Sequence, residues 1–199
     1  MLKKNLFIVA HLDDEVLAFG GILAKRNAIN TVLILSQYSK ERKEIAIALC
    51  EEFDYELHIA DFQDLEFDKN SMEITRLVNE KIAEVNPDRI FTHGESTHSD
   101  HKVTKLAVEV GSRWHNSKAD IYYGLGVSTY ENIDSPIQVN AYTKLSEREI
   151  ANKSRMLKMY HTEVKYYRNV DTLEAQARYY GYKFGCEYAE PYQVKRVKL

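Results

Sequence analysis

Leu6-Phe7-Ile8-Val9-Ala10-His11-Leu12-Asp13-Asp14-Glu15 is the stretch that decides the fold of this chain. Its first five residues are apolar and favour a buried β-strand. The three acidic residues at its end suit the positively polarised N-terminus of an α-helix. A strand that leads directly into a helix is the first half of a β-α-β unit, so the stretch predicts that the chain begins an α/β fold.

The rest of the chain continues this order as far as Gly124. Alternating strands and helices imply right-handed crossovers and a parallel sheet with helices on both faces. We therefore expect a Rossmann-like three-layer α/β/α sandwich with a mostly parallel sheet, formed by residues 1–199 as a single domain. The predicted strands are Leu6–Ala10, Thr31–Leu35, Tyr55–Ala60, Arg89–Thr92, Asp120–Gly124 and one near Ile137–Tyr142. The predicted helices run from the acidic cluster to about Asn27, from a cap at Ser39 to about Glu52, over Ser71–Val85, over about His101–Trp114, and near Ser146–Tyr160 and Leu173–Tyr182.

Composition excludes several classes of function. A net charge of −3 over 199 residues does not suggest a nucleic-acid partner, and we expect the basic tail Lys195–Lys198 to be solvated. No stretch approaches the roughly 18 apolar residues that a membrane span needs. Cys50 and Cys186 lie far apart without a CxxC spacing, so a disulfide or thiolate metal site is not expected. A cytoplasmic protein is the simplest expectation, and the oligomeric state stays open.

Two polar segments follow predicted strands at equivalent places. One is His11–Glu15 after the first strand, and the other is His98-Ser99-Asp100-His101 after the fourth. Ligand crevices form beyond the strand C-termini of an open parallel sheet, so the two segments can meet there. Two histidine nitrogens and one carboxylate oxygen suit a catalytic zinc, which keeps three protein ligands and leaves a position for water. We therefore predict a metal site made by His11, Asp14 and His101.

The residues beside these ligands predict hydrolysis of an amide. Zinc makes a water that it holds acidic enough to lose a proton near neutral pH, and Asp13 can accept that proton as general base. A protonated His98 can stabilise the negative charge that develops on the carbonyl oxygen, while Asp100 orients His98 and favours its charged form. Either Asp13 or His98 can protonate the leaving nitrogen, and the sequence does not decide between them.

Each segment alone also has a purely structural interpretation. Acids after a strand often only decorate a helix N-terminus, and a histidine in a loop is often a surface group. The two segments together, with complementary roles, favour the metal site. We assign Glu15 to the helix N-terminus. For His93, at the end of the fourth strand, both a pocket-lining role and a packed or hydrogen-bonded role stay open.

These segments resemble the motifs of a known family. Ala10–Glu15 is similar to the AHPDDE motif of the LmbE/PIG-L family of N-acetylglucosaminyl deacetylases. The second segment resembles the HPDH motif of that family, with Pro87-Asp88 before it. Later matches extend the resemblance over nearly the whole chain: Lys153, Leu157 and His161 resemble a late helix, and Tyr188-Ala189-Glu190-Pro191-Tyr192 resembles the YAExF ending.

The resemblance implies a role for each matched residue. Asp13 matches the general base, and His98 matches the histidine that polarises the carbonyl and stabilises the oxyanion, with Asp100 as its partner. Arg42 is the closest match to an arginine early in the second helix that contacts substrate. The implied zinc ligands are His11, Asp14 and His101.

The chain departs from the family pattern at several places. Leu12 and Ser99 replace two prolines, which should change loop rigidity and not ligand chemistry. Ser96 replaces an acid that often stands two residues before the matched His98, and Ile45 replaces an acid three residues after Arg42. The HxSQ of the late helix is His161-Thr162-Glu163-Val164 in this chain. These changes concern substrate contacts and outer hydrogen bonds.

The predicted function is therefore that of a zinc-dependent hydrolase. It removes an acetyl group from a small N-acetylated amino sugar of the N-acetylglucosamine type, free or in a glycoconjugate. Fe²⁺ or another divalent metal is the alternative to Zn²⁺, because two histidines and a carboxylate also form the triad of non-haem iron enzymes. A noncatalytic metal-binding or ligand-binding member of the fold is the other alternative, which the presence of Asp13 and His98 disfavours.

Overall fold

A computed structural model describes residues 1–37, 39–126 and 138–198, which form seven strands and six α-helices. The strands are β1 (Lys4–Val9), β2 (Ile29–Ser36), β3 (Glu56–Phe62), β4 (Arg89–His93), β5 (Asp120–Gly124), β6 (Ala141–Leu145) and β7 (Tyr188–Arg196). The helices are α1 (Asp14–Ala24), α2 (Lys40–Phe53), α3 (Ser71–Val85), α4 (Ser99–Gly111), α5 (Glu147–Met159) and α6 (Val170–Phe184). A 3₁₀ turn, His161–Glu163, follows α5.

All seven strands join one sheet in the order β3-β2-β1-β4-β5-β7-β6. The first five strands pair in parallel, and β7 pairs antiparallel with both β5 and β6. This topology confirms the predicted α/β class with a mostly parallel sheet. Because β1 and β4 are neighbours, the loops that follow them open side by side at one edge of the sheet.

The apolar run of β1 is continuous because both of its faces are covered. Phe7 and Val9 belong to a core on one face, with α1, α2, α5 and α6. Leu6 and Ile8 belong to a second core on the other face, with α3 and α4. All four side chains are fully buried. A strand buried on both faces has no polar alternation, as is typical of a parallel sheet between two helical layers.

Helix boundaries differ from the prediction where capping decides them. Ser39 caps α2 as predicted, with its side chain accepting a hydrogen bond from the Arg42 amide. Helix α4 begins at Ser99, two residues before the predicted start, because the ring of His98 accepts a hydrogen bond from the Asp100 amide and serves as the cap. Asp100 and His101 therefore lie in the first turn of α4, which fixes their directions.

The final strand, β7, was not predicted. Its sequence contains a proline and several charged residues, which local propensity disfavours in a strand, but pairing with β5 and β6 satisfies its backbone. The expectation of a solvated basic tail is wrong for Arg196, whose guanidinium donates to the carbonyls of Ser112, Ser117 and Ala119. The strand predicted near Ile137–Tyr142 is observed at Ala141–Leu145, and Ile137 lies outside the described residues.

A buried ion pair ties β7 to the helical layer. The Lys153 ammonium lies 2.7 Å from Glu190 Oε2, and both residues are almost fully buried. The Glu190 carboxylate also accepts hydrogen bonds from the amides of Gly21 and Ile22 at 2.7 and 3.0 Å and from the Tyr192 hydroxyl. This carboxylate therefore links α1, α5 and β7.

Within the described ranges, the longest helices have 15 residues, and none is both long and apolar enough to cross a membrane.

Candidate metal centre and active site

The two predicted polar segments meet at the C-terminal edge of β1 and β4. They open into a cavity of about 350 Å³ that also receives residues from the loop after β3, from α2 and from the segment after α5. The cavity is lined by His11, Leu12, Asp13, Asp14, Ser36, Arg42, Asp64, Ser96, Thr97, His98, His101, Glu163, Tyr167 and Arg168. Six of the seven predicted site residues line it, and Asp100 lies directly behind its wall.

The three predicted ligands form one compact donor group. His11, Asp14 and His101 each offer one atom, and these atoms lie within 4.8 Å of one another. His11 Nδ1 lies 3.3 Å and His101 Nε2 lies 3.4 Å from Asp14 Oδ2. Two nitrogens and one oxygen, supplied by the turn after β1 and the first turns of α1 and α4, fit a divalent metal of the zinc type.

The charge balance of this group also favours a cation. Burial alone would raise the pKa of Asp14, but the nearby His101 and His93 outweigh it and hold that pKa well below its usual value. Burial would lower the pKa of His11, but hydrogen bonding to Asp14 and its charge raise it to about 9. The potential that keeps a proton on His11 equally attracts a metal ion, which would displace that proton.

Side chains outside the ligand group contact the rings of His11 and His101 and orient them. Ser96 Oγ lies 3.2 Å from His101 Nδ1, so a hydroxyl occupies the place where the family often has an acid. His11 Nε2 lies 2.9 Å from Asp64 Oδ1 and 3.2 Å from Asp100 Oδ2. Such outer partners set the direction and basicity of metal-binding histidines.

His93 is a packed residue. Its Nε2 accepts a hydrogen bond of 2.9 Å from the Ala10 amide, and its ring stacks on His101 at a centroid distance of 3.8 Å. Burial and the nearby His101 lower its pKa well below the usual value. The packed and hydrogen-bonded role that the sequence left open is therefore the one observed.

Asp13 lines the cavity next to the candidate ligand Asp14 and has a strained backbone conformation. Its φ of 127° is one that side chains with a Cβ rarely adopt, and strain of this kind is concentrated at functional sites. Burial and the charge of Asp14 raise the pKa of Asp13 well above its usual value, and Arg168 opposes this shift. A buried carboxylate with raised basicity is suited to accepting a proton.

Glu15 holds this backbone in place. Its carboxylate accepts hydrogen bonds from the Asp13 amide at 3.0 Å and from the Tyr160 hydroxyl at 2.7 Å. Burial raises the pKa of Glu15 to about 7. Glu15 lies at the start of α1, as the sequence analysis assigned it, and its side chain is completely buried.

His98 and Asp100 are in contact through the backbone of Asp100. The contact runs from the Asp100 backbone amide to His98 Nδ1, at 3.2 Å. The Asp100 carboxylate instead accepts a hydrogen bond of 2.7 Å from the Leu65 amide and lies against His11. Burial and the neighbouring His101 and His11 lower the pKa of His98, which favours its neutral form. A neutral His98 whose Nδ1 accepts a hydrogen bond carries its proton on Nε2 and remains a donor.

The second helix and the segment after α5 supply an unpredicted chain of charges. Arg42 lies in the first turn of α2 and lines the cavity, and its guanidinium pairs with Glu163. Arg168 Nη1 lies 3.5 Å from Glu163 Oε2 and donates to Asp13 Oδ2 at 3.2 Å. Cations and carboxylates therefore alternate along the contacts from Arg42 through Glu163 and Arg168 to Asp13.

Sequence reasoning missed Asp64 and Arg168, and it noted Glu163 only as a departure from HxSQ. Asp64 lies in the loop after β3, and the next residue, Leu65, has a φ of 64°. An acid at a strand C-terminus was the signal that pointed to Asp13 and Asp14, and Asp64 carries the same signal. Arg168 has no such signal, because it lies in an irregular segment 155 residues from its partner Asp13.

Comparison with solved structures places the fold among several enzymes. A deacetylase of the teicoplanin biosynthetic pathway, solved as a triple mutant, is 18% identical and superposes with a TM-score of 0.76 over 98% of this chain and 100% of its own. N,N'-diacetylchitobiose deacetylase from Pyrococcus horikoshii is 15% identical, with a TM-score of 0.70 over 97% of this chain and 84% of its own. GalB, the 4-carboxy-2-hydroxymuconate hydratase from Pseudomonas putida KT2440, is 14% identical, with a TM-score of 0.73 over 100% and 98% of the two chains. At these identities the likeness concerns the fold alone, and the hydratase shows that the fold serves more than one reaction.

Sequence comparison identifies the family. None of the curated proteins matches this chain. The family model described as PIG-L, GlcNAc-PI de-N-acetylase, matches residues 6–110, more than half of the sequence, and this region includes both polar segments. The chain therefore belongs to the PIG-L family.

Proposed function

We propose that this protein is a zinc-dependent hydrolase that removes the acetyl group from an N-acetylated amino sugar or its conjugate. The observation that carries the proposal is the compact group of His11, Asp14 and His101 with the strained, buried Asp13 beside it. Membership of the PIG-L family supports an N-acetylated sugar as the substrate. The two deacetylases of the same fold support the same reaction.

His11, Asp14 and His101 would hold the metal, which supplies Lewis acidity toward a water molecule and the acyl carbonyl. The Asp13 carboxylate accepts the proton of the attacking water. His98 Nε2 donates a hydrogen bond to the carbonyl oxygen as its negative charge grows, and this requires no charged imidazole. Asp13 then carries the proton that the leaving nitrogen needs, which makes it the preferred donor over a neutral His98.

The first experiment measures acetate release from a panel of N-acetylated amino sugars and their conjugates. The protein is stripped of metal and then reloaded with zinc or with Fe²⁺. We expect release that depends on zinc. Absence of release from every compound, with zinc verifiably bound, would contradict the deacetylase and favour the noncatalytic alternative, and activity with Fe²⁺ alone would contradict the assignment of zinc.

Asp13→Asn tests the general base. Loss of the base should lower kcat by about 10²- to 10⁴-fold while the bound metal is kept. Asp61→Asn is the matched control, because Asp61 is an exposed aspartate of β3 outside the cavity. Equal activity of the Asp13 and Asp61 variants would contradict the mechanism.

The ligands are tested by metal content. His11→Ala, Asp14→Ala and His101→Ala should each lower the zinc found by elemental analysis, whereas His115→Ala, at an exposed position, should not. Full zinc occupancy in all three ligand variants would refute the assigned centre.

A further inference from the structure

Arg168 lies inside the candidate active site, although nothing in its local sequence marks it. It closes a short bridge with Lys165 after the 3₁₀ turn, and it lines the cavity. Its Nη1 donates to Asp13 Oδ2 at 3.2 Å and lies 3.5 Å from Glu163 Oε2. The guanidinium is therefore in direct contact with the candidate general base.

One donor of this guanidinium has no acceptor among the described residues. Arg168 Nε is buried and makes no hydrogen bond to any residue that the structure describes. A buried donor of a charged group without a partner is costly, so such an atom in a cavity marks a place where a ligand supplies the partner. Ser36 lines the same cavity and is 1% exposed, and its Oγ also makes no hydrogen bond within the described parts of the chain.

The charge of Glu163 does not explain this arginine. Glu163 is already paired with Arg42, so Arg168 is not required to neutralise it. A lysine would also serve as a counter-charge for Asp13. What a lysine cannot supply is a second donor at a fixed angle to the first, which the planar fork of an arginine provides.

The position of Arg168 indicates which part of the substrate it contacts. In the proposed mechanism the metal ligands and His98 serve the acyl oxygen, whereas Asp13 serves the attacking water and the leaving nitrogen. Because Arg168 contacts Asp13, it lies near the leaving nitrogen and therefore near the amine half of the substrate.

We propose that Arg168 is a specificity-determining residue whose Nε donates a hydrogen bond to an oxygen on a carbon next to the amide-bearing carbon. This inference rests on the proposed function. It defines the substrate class as amides of amino alcohols with a hydroxyl vicinal to the nitrogen, of which amino sugars are the cyclic form.

The test combines a conservative variant with modified substrates. Arg168→Lys keeps the charge beside Asp13 and removes the second donor, and Arg178→Lys is the matched control on the exposed face of α6. Both proteins are assayed on the best N-acetylated amino sugar of the panel and on its two deoxy analogues, each lacking the hydroxyl on one carbon that flanks the amide-bearing carbon. Zinc content and the urea midpoint are measured for each variant, so that a misfolded protein is recognised.

We expect Arg168→Lys to lower kcat/KM about 10- to 100-fold on the full substrate, whereas Arg178→Lys changes it less than twofold. On one deoxy analogue the wild-type protein should lose a similar factor, and Arg168→Lys should then cost almost nothing more, because the hydrogen bond is already absent.

Two results would overturn the inference, and they differ in what else they affect. In the first result, the wild-type protein turns over its substrate, but Arg168→Lys is equally active or shows the same loss of kcat/KM on both deoxy analogues as on the full substrate. Arg168 then contacts no vicinal oxygen, and the proposed deacetylase function stands. If the wild-type protein with bound zinc turns over no N-acetylated amino sugar, the proposed function fails and the inference fails with it.

Discussion

Replacing Lys153 by methionine should destabilise the protein by about 3 kcal/mol. Lys153 and Glu190 are 3% and 2% exposed, and 2.7 Å separates their charged atoms. Removing one partner of a buried ion pair leaves the other charge buried and uncompensated, which costs about 3–5 kcal/mol. The Glu190 carboxylate keeps its hydrogen bonds from Gly21, Ile22 and Tyr192, so the lower end of that range applies.

Urea unfolding measures this change. With a slope of about 2 kcal/mol per molar urea, a loss of about 3 kcal/mol lowers the midpoint by about 1.5 M. Lys69→Met is the matched control, because Lys69 and Glu66 are also 2.7 Å apart but the lysine side chain is 64% exposed. Solvent screens an exposed pair, so this variant should leave the urea midpoint almost unchanged.

A double variant separates charge from shape. Adding Glu190→Gln to Lys153→Met removes the uncompensated charge and keeps an acceptor for the amides of α1, so the double variant should be more stable than Lys153→Met alone. Equal shifts of the urea midpoint in Lys153→Met and Lys69→Met would refute the reasoning. So would a double variant whose loss of unfolding free energy equals the sum of the losses of Lys153→Met and Glu190→Gln alone.

Gly21→Ala should lower the free energy of unfolding by about 1–3 kcal/mol, because the new Cβ would lie 2.7 Å from a buried carboxylate oxygen. Gly185→Ala should lower it by about 1 kcal/mol, because Gly185 has a φ of 72° but open space around it. Equal urea midpoints of the two variants would contradict this. Burial would raise the pKa of Glu149, but a backbone amide and a lysine outweigh it and lower that pKa. The stabilisation that ionised Glu149 contributes is therefore present at neutral pH and lost as the pH falls through the lowered pKa. Glu149→Gln should lower the free energy of unfolding by about 0.5–1 kcal/mol at neutral pH and leave it unchanged in strong acid. Thermal unfolding across pH measures this difference. Ser96→Ala should weaken zinc binding about tenfold, because the ring of His101 loses one of its outer contacts. Competition with a chelator measures the affinity, and an unchanged affinity would show that the hydroxyl does not orient the ring.

Local patterns were sufficient to predict the parallel part of the sheet and the two segments that meet at its edge. The run Leu6–Ala10 is apolar because it is buried on both faces, and the acids after it mark the start of α1. His98–His101 follows a neighbouring strand. Period, capping and the rule that ligands bind at strand C-termini are properties of short stretches, so they can be recognised without a structure.

Distant contacts were not predictable in the same way. Arg168 reaches Asp13 across 155 residues, and β7 becomes a strand only because β5 and β6 offer it partners. The lowered pKa of His98 was not predictable from local sequence, because it depends on burial and on the rings of His101 and His11.

The sequence by itself determined the fold class and the residues that can bind a metal, because both depend on residue type and on spacing along the chain. The tertiary structure alone decided which charges surround Asp13, how burial shifts the pKa of each histidine ring and which donor lacks a partner among the described residues. These properties depend on distance and on exclusion of water, and the chain acquires both only when its distant segments pack together.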